Sequence, residues 1–177
     1  MQALPSLLAL LLLLGCTRRP EPVAPTMSIH STLESMCGQL SSPSEAERAS
    51  LLNLGISDAA VANLFSNWPD GSVGVGSHDL MNIREIVEFD WQKNTLKFGL
   101  LTVGYCANGD PISIDVSAGP PWPIYYVSHE HEGLYDGSEL TRIKVADSFE
   151  KFLVECDADE NYPWDYFEAE GRLKTDG

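Results

Sequence analysis

The segment Ser128-His129-Glu130-His131-Glu132 holds the side chains of this chain best suited to chemistry. In an extended backbone alternate side chains share a side, so His129 and His131 would offer two imidazoles to one metal ion. His78, Asp79 or Asp110 could add a third ligand, which would give a zinc-dependent hydrolase. The spacing argues against that chemistry. The helical His-x-x-x-His pair and the cysteine clusters that complete zinc sites are both missing from the sequence. No metal or other cofactor is therefore expected. Nucleophilic catalysis has even less support, because no Gly-x-Ser-x-Gly elbow occurs. Gly71 to Gly76 lacks the lysine of a phosphate loop and reads as a connector.

A different chemistry, recognition, is suggested near the C-terminus. There Trp164, Tyr166 and Phe167 stand among Asp157, Asp159, Asp165 and Glu168. Aromatic side chains set among charges have the composition of interface hot spots. Trp122 lies in a proline-rich loop, 118–123. Trp122, Trp164, Asp165, Tyr166 and Glu168 are therefore the candidate partner-binding residues. The alternative is that Trp164 and Phe167 pin the tail to the core, since large aromatics dominate core contacts as well.

The elements that must position these groups follow from periodicity. Leu33, Met36, Cys37 and Leu40 suit a helix over 29–40. Ser42-Pro43-Ser44-Glu45 predicts a capping box with Ser42 as cap, opening a helix to about Asn53 that stops at Gly55. Ser57-Asp58 opens a second, with Val61, Leu64 and Phe65 on one face, and Trp68-Pro69-Asp70-Gly71 closes it as a turn. Residues 72–92 fit neither period well. Phe98 to Ala107 is rich in apolar and β-branched residues, as in a central strand. Asn108-Gly109-Asp110 then predicts a hairpin bend. Beyond it Ile112, Ile114 and Val116 alternate with Ser113, Asp115 and Ser117, one face dry and one wet. A third strand covers 124–129. Asp147 with Glu150 predicts the cap of a closing helix carrying the stripe Phe149, Phe152, Leu153, Cys156. The fold class is α+β: N-terminal helices packed on an antiparallel meander closed by a C-terminal helix.

Composition bounds the setting. The chain has 177 residues, with 26 acidic against 11 basic side chains and a net charge of -15. Phosphate backbones would be repelled, so nucleic acid is not an expected partner, whereas a basic protein would be drawn in. Residues 4–14 form a short apolar run ending in Gly15-Cys16, too short to span a bilayer and suited to a signal peptide closed by a lipidated cysteine. Residues 1–15 then form a lipoprotein signal, 16–27 a Pro-rich tether, and 28–177 the domain. Cys16 would anchor the chain to the membrane of a bacterial cell envelope. Translation from Met27 would instead give a cytoplasmic protein. Cys37, Cys106 and Cys156 lack Cys-x-x-Cys spacing and read as small buried hydrophobes, with a disulfide left open.

Three ordered segments, Gly109-Asp110-Pro111-Ile112-Ser113-Ile114-Asp115, Pro123 to Glu130, and Ala146 to Leu153, resemble the SMI1/KNR4 (SUKH) superfamily. Over Phe98 to Cys156 the order and spacing agree with that family. Gly55 to Gly71 agrees more loosely, with Asn67-Trp68-Pro69-Asp70-Gly71 where the family has an Asn-Gly-Gly turn. The resemblance implies a non-enzymatic binding fold. Many bacterial members of the family look like immunity proteins that block a toxin, and no catalytic residues carry over. It also implies that His129-Glu130 ends a strand, with Gly109-Asp110, Phe149 and Phe152 architectural. The expectation is a binding protein that sequesters a toxin or another protein partner. An envelope lipoprotein with a structural or ligand-binding role is the alternative.

Overall fold

Short helices and short strands alternate along this chain because caps and turns interrupt every apolar stretch within about ten residues. The computed structural model describes residues 29–37 and 39–175. The expected signal peptide and tether, with Cys16, lie outside the described residues.

Helix α1 (Ile29–Cys37) is followed by a two-residue strand β1 (Leu40–Ser41), then α2 (Glu45–Asn53) and α3 (Asp58–Leu64). The capping box of α2 is built on Ser44 and Glu47, not Ser42 and Glu45. Ser44 N–H donates to Glu47 at 2.8 Å, and the Ser44 hydroxyl accepts from Glu47 N–H. Ser42 instead donates to the Ser66 carbonyl. Ser57 caps α3 as expected. The predicted turn at Trp68-Pro69 is β2 (Trp68–Pro69), paired antiparallel with β1. Trp68 is fully buried: it stacks on Phe149 and donates its indole N–H to the Met81 carbonyl at 2.9 Å. A side chain of this size gains more from burial than a turn would give it.

The main sheet is larger than the three-stranded meander expected. Strands β3 (Val73–Val75) and β4 (His78–Leu80) form a hairpin from the glycine-rich connector. Helices α4 (Ile83–Glu88) and α5 (Gln92–Leu96) follow, then β5 (Leu100–Cys106), β6 (Pro111–Asp115) and β7 (Ile124–Val127). After α6 (Glu132–Asp136), β8 (Arg142–Ala146) completes six antiparallel strands in the order β3-β4-β5-β6-β7-β8. Extra residues Val103 in β5 and Val145 in β8 interrupt the register as bulges. The expected closing helix is α7 (Phe149–Ala158), capped by Ser148 rather than Asp147. Asp147 is engaged by Lys144 at 2.6 Å, which leaves Ser148 to accept the Lys151 N–H. The chain continues into α8 (Tyr166–Thr175), which packs against β8. The α+β class with an antiparallel sheet and a C-terminal helix is the observed one.

The principal core joins α1, α2, α3 and α7 to one face of the sheet through Leu33, Leu64, Ile112, Tyr126, Phe149 and Phe152. A smaller cluster of Leu100, Val127 and Leu134 lies beneath α5 and α6 on the other face. Burial on that second face reverses the expectation that Ser113 is wet. It is fully buried, bonded to Thr102 at 3.0 Å. Buried Gln92 closes this polar ladder, donating to the Ile86 and Thr102 carbonyls and accepting the Thr102 N–H at 2.9 Å.

Candidate functional site

The 128–132 segment does not remain extended. Strand β7 ends at Val127, residues 129–130 turn, and His131 stands exposed at the N-cap of α6. The shared orientation that would make His129 and His131 joint ligands is lost. Among the described residues, no three His, Cys, Asp or Glu side chains are placed to hold a metal ion.

His129 and Asp110 do meet, as parts of an anchor. Gly109 adopts φ +96, which an L side chain resists, and the bend turns Asp110 inward while Asn108 Oδ1 accepts the Asp110 N–H. The Asp110 carboxylate is fully buried. One oxygen accepts His129 N–H at 2.9 Å and His129 Nδ1–H at 2.7 Å. The other accepts Asn108 Nδ2–H at 2.8 Å and Tyr166 N–H at 2.9 Å. Burial alone would raise its pKa, but these donors outweigh burial and hold the carboxyl below the usual range. The carboxylate thereby fastens the β5–β6 bend, the turn after β7 and the start of α8 to one another. Asp165, also buried, accepts Glu168 N–H at 2.8 Å and serves as the cap of α8.

His78 is engaged elsewhere. Its Nε2 lies 2.6 Å from the Tyr126 hydroxyl, which donates to the Pro163 carbonyl at 2.8 Å. A hydroxyl has one proton, so His78 Nε2 must donate to Tyr126. Burial lowers the His78 pKa and favours the neutral ring. Tyr126 and the buried, free thiols of Cys106 and Cys156 are pushed upward by burial, which leaves both thiols protonated and weakly reactive.

The candidate partner-binding residues separate into two groups. Trp164 is 46% exposed and Phe167 44% exposed. Half-buried Glu168 lies beside them, accepting Trp164 N–H at 2.9 Å and pairing with Arg172. Trp122, Asp165 and Tyr166, in contrast, are buried and present no side chain to a partner, so the expectation is corrected for these three. Trp122 lies in the principal core, Asp165 caps a helix, and Tyr166 is the first buried contact of α8.

Gln92 and Tyr105 escaped the sequence reading. Tyr105 is 37% exposed on a strand otherwise buried throughout, and it lines a groove of about 300 Å³ with Met81, Glu85, Glu88, Phe89 and Asp90. Among the described residues, Arg48, Arg84, Lys144, Lys151, Arg172 and Lys174 each pair with a carboxylate. No helix among these residues is long and apolar enough to cross a membrane. No family model, curated protein or solved structure matches the chain.

Proposed function

We propose that this chain is a non-enzymatic binding protein of the immunity type, which sequesters a basic protein partner such as a toxin. One observation carries the reading: exposed Trp164 and Phe167 stand in a chain of net charge -15 whose described cations are largely committed to ion pairs. Such a surface attracts a positively charged protein over long range and offers it aromatic contacts at close range. The commitment of His129 and His78 to internal hydrogen bonds supports binding over hydrolysis. The resemblance to the SMI1/KNR4 superfamily points the same way. Lipidation of Cys16 belongs to the same proposal and places the protein on the envelope, where the partner would be met on entry or at its site of action.

The test is a search of the adjacent genes for a large secreted toxin-like product, followed by co-expression of this chain with it. A salt-sensitive complex and restored growth are expected, both lost with Trp164→Ala/Phe167→Ala at an unchanged melting temperature. A chain that gives neither complex nor protection refutes the reading. Globomycin treatment separately tests the anchor, since a precursor should accumulate if Cys16 is processed.

A further inference from the structure

We infer that the groove between α4 and β5 is a docking site for an arginine side chain on a basic protein partner. This rests on the binding reading above and adds the surface and the chemistry it recognises. Tyr105 lies on β5, third in the order of six strands, and every other residue of that strand is buried. A large aromatic left uncovered at such a position keeps a π-face available. Met81, almost fully buried, contributes apolar surface, and Phe89, braced edge-on by Trp91, contributes a second ring.

Three carboxylates complete the lining, Glu85, Glu88 and Asp90, and no cation is part of it. Asp79 pairs directly with Tyr105 across the β4–β5 ladder, so it adds a fourth acid on the same face of the sheet. Glu85 is held in place by the Asn82 N–H at 2.9 Å and the Ser72 hydroxyl at 2.8 Å. Glu88 pairs with Arg84, but both are well exposed, and such a pair gives way readily to a better-placed cation. A groove of about 300 Å³ with an aromatic wall and acidic rim suits a guanidinium, which stacks flat on a ring while its edge donates to carboxylates. Lysine would be a poorer occupant because its ammonium is more strongly hydrated and cannot stack as a plane.

The experiment titrates the full chain with acetyl-Gly-Arg-Gly-amide and follows backbone amide shifts by NMR, with citrulline and lysine peptides as controls. Shifts confined to Asp79, Glu85 to Asp90 and Tyr105 are expected with the arginine peptide, weaker with lysine and absent with citrulline. Tyr105→Ala should weaken binding about threefold to fivefold, while Tyr105→Phe should retain it. Asp90→Asn, at an exposed position, should weaken binding and flatten its salt dependence without risk to folding. Shifts centred on Trp164, shifts spread over all acidic surface, or an equal response to citrulline would overturn the assignment. So would a change at the groove of the unliganded protein on Arg18→Ala/Arg19→Ala, because the chain's own segment would then be the occupant. A peptide that fails beside a partner complex that forms removes this site alone. Peptide binding with no complex would instead remove the partner reading.

Discussion

Replacement of Asp110 by Asn should destabilise the protein by about 3 kcal/mol, and the loss should depend on pH. The side chain accepts hydrogen bonds from His129 N–H, His129 Nδ1–H, Asn108 Nδ2–H and Tyr166 N–H, all between 2.7 and 2.9 Å, with no exposure to water. An amide keeps one accepting oxygen and turns an NH2 toward the other pair of donors. The lower-cost arrangement places that NH2 toward His129, whose ring can change tautomer and accept. Only the His129 backbone N–H is then orphaned, at about 1–3 kcal/mol, and the bonds to Asn108 and Tyr166 each lose their charge assistance, about 0.5–1 kcal/mol apiece. Because the folded pKa of Asp110 lies below its unfolded value, its contribution is complete above about pH 4 and disappears as pH falls through the folded value. Urea unfolding of both proteins at pH 7 and pH 3 is the assay. A gap of about 3 kcal/mol at pH 7, shrinking at pH 3 with unchanged m-values, is expected. A gap below about 0.5 kcal/mol, or one indifferent to pH, would refute the anchoring role.

Other perturbations separate structure from recognition. Gln92→Leu should cost about 2–4 kcal/mol in urea, because it orphans buried groups of Thr102 and Ile86 that the side chain now satisfies. Tyr166→Ala should cost about 2–4 kcal/mol, whereas Trp164→Ala should cost under about 1 kcal/mol, and thermal denaturation distinguishes the two. Gly76→Ala combines φ +59 with a new Cβ driven into the Cys156 carbonyl, so a drop of roughly 5 °C or more in Tm is expected.

What the sequence disclosed, and what it hid, follows the range of the forces involved. The stripe Phe149, Phe152, Leu153, Cys156 is fully buried or nearly so, and the apolar run before Asn108 is the strand expected of it, because each pattern is set by neighbours within one or two turns. Capping was less determinate. Ser42 with Glu45 and Ser44 with Glu47 satisfy one and the same pattern, and only the pull of Ser66 on Ser42 separates them. Ser113 looked wet because alternation reports polarity, whereas the neighbouring strand supplies Thr102 as its partner, itself bonded to Thr95 of α5. Helix α8 escaped notice for a related reason: Tyr166 and Ala169 are its buried residues, and Leu173 is largely exposed. At the site, Asp110 and His129 were both singled out and do touch, yet as an internal brace. Tyr166 helps decide that outcome, and it lies 56 residues from Asp110, so their contact leaves no local trace in the sequence.

Because every strand of the large sheet lies beside its immediate predecessor, the ribosome releases the sheet in the order in which it assembles. Each hairpin of the sheet can zip onto the last without waiting for distant sequence, which favours quick closure of the sheet. The final piece is the exception. Strand β8 emerges on the outer side of the sheet some twenty residues before α8 is available to pack on it, on the order of a second of synthesis. During that interval the outermost strand is open to other chains, until α8 follows and packs against it.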